Sequence, residues 1–258
     1  MIHKDPLLAP TRLLDFESPA IATLLETRGW SWKALPPEAR IGSIYDFVRN
    51  QIAFGYNRAD DIPASQVLAD GFGQCNTKGK LLMALLRGAG IRCRLHGFTI
   101  HKALQRGIVP ELVYPVAPAE ILHSWIEVET GDTWIDLEGF ILDAPYLTAL
   151  QRAFSDSDSL CGYGAGTECL NSPPVEWTGA STYIQKTGIA RDLGTFETPD
   201  QFYDVHRQAF GQLRDWLYRH IVRHWMNARV RRIRDGRLPL KPGTARLNHR
   251  YEGDAHAA

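Results

Sequence analysis

Cysteine is scarce in this chain, at four of 258 residues, and methionine scarcer still at three. So few cysteines exclude a disulfide-framework domain, because such scaffolds need a dense set of closely spaced pairs. No run of eighteen or more apolar residues occurs, so no span long enough to cross a bilayer as a helix is expected. The first sixteen residues, MIHKDPLLAPTRLLDF, are broken by Pro6 and Pro10 and carry no apolar h-region, so the sequence predicts an unsecreted, cytoplasmic chain with reduced thiols. An excess of either charge is also missing. Lys plus Arg and Asp plus Glu each number 29, so no global field points to nucleic acid or to an acidic substrate. With 44% apolar and 22% charged residues, disorder, collagen and coiled coil are excluded. The length suits one large domain with appendages, domains usually holding about 100–200 residues.

Periodicity divides the chain. Residues 1–39 read as a helical preamble, with an apolar stretch from Ala20 to Leu25 and Trp30 and Trp32 before Pro36-Pro37. Ile41, Ile44, Tyr45, Val48 and Ile52 recur at spacings of three and four, the mark of an amphipathic helix. Asn57 to Pro63 is polar and turn-rich, and Ala64 to Leu68 has room for one or two helical turns. Gly71 and Gly73 mark a close backbone approach. From Cys75, KGKLLMALLRGAG reads as a buried helix stopped by Gly88 and Gly90, which sets Cys75 at or near its N-terminus. Ile91 to Ile100 reads as a strand, and Lys102 to Pro118 as a loop or lid. Ile121 to Glu129 and Trp134 to Glu138 flank Thr130-Gly131-Asp132-Thr133 as a hairpin. Helix followed by antiparallel strands predicts an α+β fold. The core is expected over 40–150, a long loop region over 151–200, a basic amphipathic helix over 201–238 and a loose tail over 239–258.

Cys75 has the position of a catalytic thiol. A free cysteine of pKa about 8.5 is only slightly ionised at neutral pH, and a helix N-terminus or a nearby imidazolium increases its thiolate content. The backbone amide of Cys75 is placed to donate to a developing oxyanion. The alternative reading is a small buried apolar residue. Along 121–129, alternation sets His123, Trp125 and Glu127 on one strand face. Centring the turn on Gly131-Asp132 pairs Trp125 with Glu138 and Glu127 with Asp136. Glu138 is then a diagonal neighbour of His123, and Asp136, one pair further away, is the fallback acid. A carboxylate there would orient the imidazole and stabilise its charged form. The rival for an isolated histidine is a solvated polar strand face.

These residues resemble a family. Gly73-Gln74-Cys75, Leu86-Arg87, Gly90-Ile91 and Arg94 resemble the nucleophile helix and following strand of the transglutaminase-like superfamily, itself similar to papain-like cysteine enzymes. His123-Ser124-Trp125-Ile126-Glu127 resembles its His-x-Trp-x-Glu strand, and Trp134-Ile135-Asp136-Leu137-Glu138 its Trp-x-x-x-Asp strand. The resemblance spans roughly residues 40 to 145, with its blocks in the family's order. It implies a nucleophile helix on an antiparallel sheet, with a helical C-terminal extension, and a triad of Cys75, His123 and Glu138. Two residues depart from the pattern: Asn76 replaces the usual aromatic after the nucleophile, and Glu138 stands where the family has aspartate.

The implied chemistry is cysteine-dependent acyl transfer on a peptide, protein or small amide (or ester) substrate, through a thioester resolved by an amine. A peptidase or deamidase using water is the alternative within enzymes. An inactive binding or scaffold module is the alternative outside them, suggested by Asn76 and the basic helix; absence of a Cys75–His123 contact would favour it. Gln74, Asn76 and Tyr56 are candidate oxyanion or substrate donors through their side chains. No cofactor is expected and no metal is assigned. Cys161 and Cys169 lie too far apart for a zinc knuckle, Asp156-Ser157-Asp158 is too little for a calcium loop, and Cys93 reads as core. No nucleic-acid partner is expected. The stripe Phe202, Val205, Phe210, Leu213, Leu217, Ile221, Trp225 and Val230 is expected to pack on the core, leaving nine arginines between Arg207 and Arg237 as a solvated face. Arg229, Arg231, Arg232 and Arg234 are the densest candidates for an anionic partner.

Overall fold

A computed structural model describes residues 5–31, 35–206 and 211–238. Trp32, Arg207, Phe210 and the tail expected over 239–258 lie outside the described residues.

Two helices open the chain, α1 (Pro19–Thr27) and α2 (Pro37–Gln51), each with proline in its first turn, where a missing N–H is no loss. The two-residue strands β1 (Ala53–Phe54) and β2 (Phe72–Gly73) pair in parallel on either side of α3 (Ala64–Asp70). Gly73 leads straight into α4 (Cys75–Gly88), and a Cβ there would stand 2.7 Å from Thr77 Oγ1, so only glycine passes without displacing that hydroxyl. The sheet follows: β3 (Cys93–His101), β4 (Glu120–Thr130) and β5 (Thr133–Leu137). After α5 (Ala144–Ala153) come a short hairpin, β6 (Leu160–Gly162) and β7 (Ala165–Thr167), then β8 (Ile189–Phe196). The sheet order is β5-β4-β3-β8, antiparallel throughout.

The β4–β5 register is the one the turn predicted: Glu127 faces Asp136 and Ile126 faces Leu137, with Gly131 at φ +58 in the two-residue loop. On α4, Leu81, Leu82, Leu85 and Leu86 have no exposed surface, each worth about 1.5–3 kcal/mol of burial. Gly79 lets Ile126 of β4 approach the helix, a Cβ at that position meeting Ile126 Cδ1 at 3.3 Å. The chain is thus an α+β protein with α4 packed on an antiparallel sheet. Among the described residues no helix is long and apolar enough to cross a membrane.

Two expectations are corrected. Residues 151–200 are more than loop, since they supply the β6–β7 hairpin and the fourth strand of the sheet. β8 escaped the reading because Asp192 and Gly194 interrupt its pattern, its residues are exposed or half-buried, and its pairing with β3 is irregular. The single long helix expected after 201 is also broken. α6 (Pro199–Val205) ends at Val205, and a second helix starts after Gly211, at φ +74, as α7 (Gln212–Leu217). It continues through a wider π turn at Tyr218–Val222 into α8 (Arg223–Arg234). Most of the expected stripe is not its core face. Phe202 and Val230 are buried as expected, Val230 together with Met226 and Ile233, whereas Val205, Leu213, Leu217, Ile221 and Trp225 are exposed.

Candidate active site

Cys75 is the first residue of α4, where the helix itself offers no carbonyl to the leading N–H groups. The helix start is locked by a reciprocal cap. Gln74 Oε1 accepts from the Asn76 N–H at 2.8 Å, and Thr77 Oγ1 accepts from the Gln74 N–H at 3.0 Å. The Cys75 thiol, almost buried, donates to the same Gln74 Oε1 at 2.9 Å.

His123 is fully buried on β4. Its Nε2 meets Glu138 Oε1 at 2.9 Å. The other ring nitrogen, Nδ1, has no partner of regular hydrogen-bond geometry among the described residues, and with Nε2 taken it is the atom left for the Cys75 sulfur. Burial opposes the imidazolium, but interaction with Cys75, and then with Glu138, outweighs it and raises the His123 pKa well above its ordinary value. Glu138 is equally buried, and its Oε2 accepts from the backbone N–H groups of Ile184 at 2.7 Å and Gln185 at 2.9 Å. Three donors therefore converge on one carboxylate. Asp136, the fallback acid, is instead held by the Tyr183 hydroxyl, and His123 bonds to Glu138.

The side-chain donors expected near an oxyanion are committed elsewhere. Gln74 Nε2 donates to Asp60 Oδ1 at 2.5 Å. Asn76 Nδ2 donates to Asp60 Oδ2 at 3.1 Å and to the Leu122 carbonyl at 3.0 Å, while its Oδ1 accepts from Ser124 Oγ. Tyr56 donates its proton to Gln105 Oε1. Asn76, which replaces an aromatic, thus ties α4 to β4. Of the expected donors, the backbone amide of Cys75 remains as a candidate.

Sequence reasoning passed over Asp60, which sits in the turn-rich segment with nothing to distinguish it from its neighbours. Its half-buried carboxylate holds both residues that flank Cys75, and desolvation raises its pKa despite Lys80 and those two amides. Lys80, fully buried on α4, donates to the carbonyls of Asp60 and Ile62 and fixes that turn from behind. Thr182 was equally invisible; its hydroxyl and carbonyl accept from the Glu138 backbone N–H. A surface cleft of about 890 Å³ lined by Arg28, Asp46, Phe47 and Trp177 includes none of the three central residues. Among the described residues no three His, Cys, Asp or Glu side chains converge on a metal-sized site.

The match to a family model of the transglutaminase-like superfamily covers residues 28–139, which include Cys75, His123 and Glu138. Residues 28–139 belong to the transglutaminase-like superfamily. Its members are typically cysteine enzymes. The curated proteins provide no match. Among solved structures, that of a Cytophaga hutchinsonii protein provisionally assigned as a cysteine protease is similar over 76% of this chain and 47% of its own, at 15% identity and a TM-score of 0.41. The chain thus spans about half the length of that protein. In the transglutaminase-like segment, the helix, β4 and the residue just after β5 each contribute one of the three side chains.

Proposed function

We propose that the protein catalyses cysteine-dependent acyl transfer on amide or ester substrates, with Cys75 as nucleophile, His123 as proton carrier and Glu138 as the group that orients His123. The observation that carries this reading is the buried His123, bonded through Nε2 to a carboxylate with three donors and left with Nδ1 for the sulfur. A histidine there as mere core packing would not need a buried anion behind it, since an uncompensated buried charge costs several kcal/mol.

In the first step the Cys75 thiolate, its proton held on His123, attacks the carbonyl carbon and gives a tetrahedral adduct whose oxygen carries negative charge beside the Cys75 backbone N–H. The adduct collapses to a thioester as the C–N or C–O bond breaks and His123 Nδ1–H protonates the leaving group. In the second step an amine or water attacks the thioester, gives its proton to His123 and releases the Cys75 thiolate, which restores the starting thiolate–imidazolium pair. An amine acceptor is the transglutaminase-like outcome; water gives deamidation or peptide cleavage.

The first test is the rate of Cys75 alkylation against pH, followed site by site by mass spectrometry. The wild type is expected to hold a fast plateau well below the free-thiol pKa of about 8.5, and His123→Ala to lose it. Because the His123 pKa is raised, the imidazolium persists on the alkaline side and the plateau extends through neutrality. A profile that rises only near the free-thiol pKa and ignores His123 would sink the proposal. Acyl-donor assays with and without a primary amine then separate the two acceptors.

A further inference from the structure

Among the described residues, large hydrophobic side chains are exposed at nine positions, and six of these lie between Val205 and Trp225. The five on α7 and its continuation are Leu213, Trp216, Leu217, Ile221 and Trp225, with Leu213 72%, Trp216 53% and Trp225 45% exposed. Leu213, Leu217, Ile221 and Trp225 recur every four residues. On a regular α-helix each such step drifts by about 40° around the axis. The π turn at Tyr218–Val222 has more residues per turn and takes up part of that drift, so the four line a straighter ridge. The opposite side, through Met226, Val230 and Ile233, is buried in the core.

The charge of this segment differs from that of the molecule. Residues 211–238 carry eight arginines and two aspartates, with no lysine or glutamate, in a chain whose net charge is zero. Arg229 and Arg234 are turned inward, to the Val109 carbonyl and to Asp143. Arg214 and Arg219 are exposed within the stretch of the ridge, and Arg231 and Arg232 are exposed about two turns beyond Trp225.

We propose that the helix spanning 212–234 is a docking surface for an anionic lipid bilayer. The indoles and aliphatic side chains of the ridge enter the headgroup boundary, and the exposed arginines pair with lipid phosphates. An apolar ridge with two tryptophans between guanidinium groups has the composition of an interfacial helix. Charge complementarity favours this occupant over a second copy, which would set one arginine-rich face against another. The proposal does not depend on the chemistry at Cys75.

The test uses the full chain with vesicles of phosphatidylcholine alone and of phosphatidylcholine mixed with phosphatidylglycerol. Binding is read by co-sedimentation and by the blue shift of tryptophan emission. The expected result is binding to the mixed vesicles only, abolished as salt approaches about 1 M. The double variant Trp216→Ser and Trp225→Ser should bind at least about tenfold more weakly. The double variant Arg231→Gln and Arg232→Gln should weaken binding and flatten its salt dependence. Both pairs are exposed, and unchanged Cys75 alkylation shows that each variant is folded. Equal binding to both vesicle types, no binding to either, or binding that ignores both variants would overturn the proposal. So would concentration-dependent dimerisation abolished by the tryptophan variant without vesicle binding, which would assign the ridge to a second copy.

Discussion

Each oxygen of the Glu138 carboxylate is spoken for. His123 Nε2 takes one, and the backbone N–H groups of Ile184 and Gln185 share the other. Glu138→Gln keeps the shape but turns its NH₂ group either toward the Ile184 and Gln185 N–H donors or toward His123 Nε2. In the second case Nε2 accepts and leaves the ring proton on Nδ1, the wrong tautomer for taking a proton there. We expect the acyl-transfer rate to fall on the order of 10²-fold or more, as when a triad acid is neutralised, and stability to drop by about 1–3 kcal/mol for the unsatisfied donors. Rates with a chromogenic ester and a urea melt read the two effects separately. Asp60 belongs to the same scale. Asp60→Asn retains one acceptor for Gln74 and Asn76 where two are needed. Loss of register at Cys75 is expected to slow alkylation by about tenfold, since small misplacements of a reacting group are costly. Because burial raises the Asp60 pKa, wild-type reactivity should also show an acid limb from its protonation, and that limb should vanish in Asp60→Asn. A pH profile with the same limb in both proteins would exclude Asp60 as its source.

At the scale of elements, a clasp holds the open side of the sheet. His96 of β3 bonds through Nδ1 to Glu127 of β4 at 2.7 Å and through Nε2 to Asp192 of β8 at 2.9 Å, with Arg94 closing on Glu127 from the other side. Burial works against the charged ring, but the hydrogen bonds to Glu127 and Asp192 prevail and raise its pKa. Burial likewise works against ionised Glu127, and the hydrogen bonds from His96 and Arg94 lower its pKa. The signs define a window. The His96 contribution is complete below its unfolded pKa of about 6.5 and is lost as pH rises through the raised folded value. The Glu127 contribution is present above its unfolded pKa of about 4.3 and is lost as pH falls through the lowered folded value. His96→Gln should therefore destabilise by about 1–2 kcal/mol near pH 6 and by less at pH 9. Amide exchange along β8 is the measurement, because that edge strand pairs only with β3 within the sheet. The two strands of the hairpin were legible because alternation and a Gly-Asp turn state them locally. β8 was not, because its place beside β3 depends on a partner almost a hundred residues away.

For the whole molecule, Arg234 is the ion-pair tie of the C-terminal helix to the core, beside the hydrogen bond of Arg229 to the Val109 carbonyl. Arg234 donates to both oxygens of Asp143 and to the Phe54 carbonyl. Asp143 is nearly buried, caps α5 by accepting from Tyr146 N–H, and accepts from Phe54 N–H. Burial works to raise its pKa, but Arg234 and the Phe54 amide hold it below the usual carboxylate range. Arg234→Ala leaves that carboxylate without its ion-pair partner and should cost about 3–5 kcal/mol in thermal or denaturant unfolding. Arg231→Ala, on the exposed side, should change stability by less than about 0.5 kcal/mol. The sequence grouped these arginines by density alone. Their division into inward ties and outward charges follows from helix rotation, which the apolar pattern misassigned over most of its length: Leu213, Leu217, Ile221 and Trp225 face out, and of the stripe's last members Val230 faces in, with Met226 and Ile233.

Local and periodic features are legible in the chain alone: the α+β class, the helix starting at Cys75, the hairpin and its register, and the pairing of His123 with Glu138 in preference to Asp136. Each follows from 3.6- and 2-residue periods and from a turn of known length, which act over a few residues. What surrounds those residues is fixed by tertiary packing. Asp60 behind Gln74 and Asn76, the Ile184 and Gln185 amides behind Glu138, the inward Arg234 and the exposed tryptophan ridge all join segments distant in sequence. Their positions are set by close packing and by the need to satisfy every buried polar group, and neither leaves a mark in any single stretch of chain.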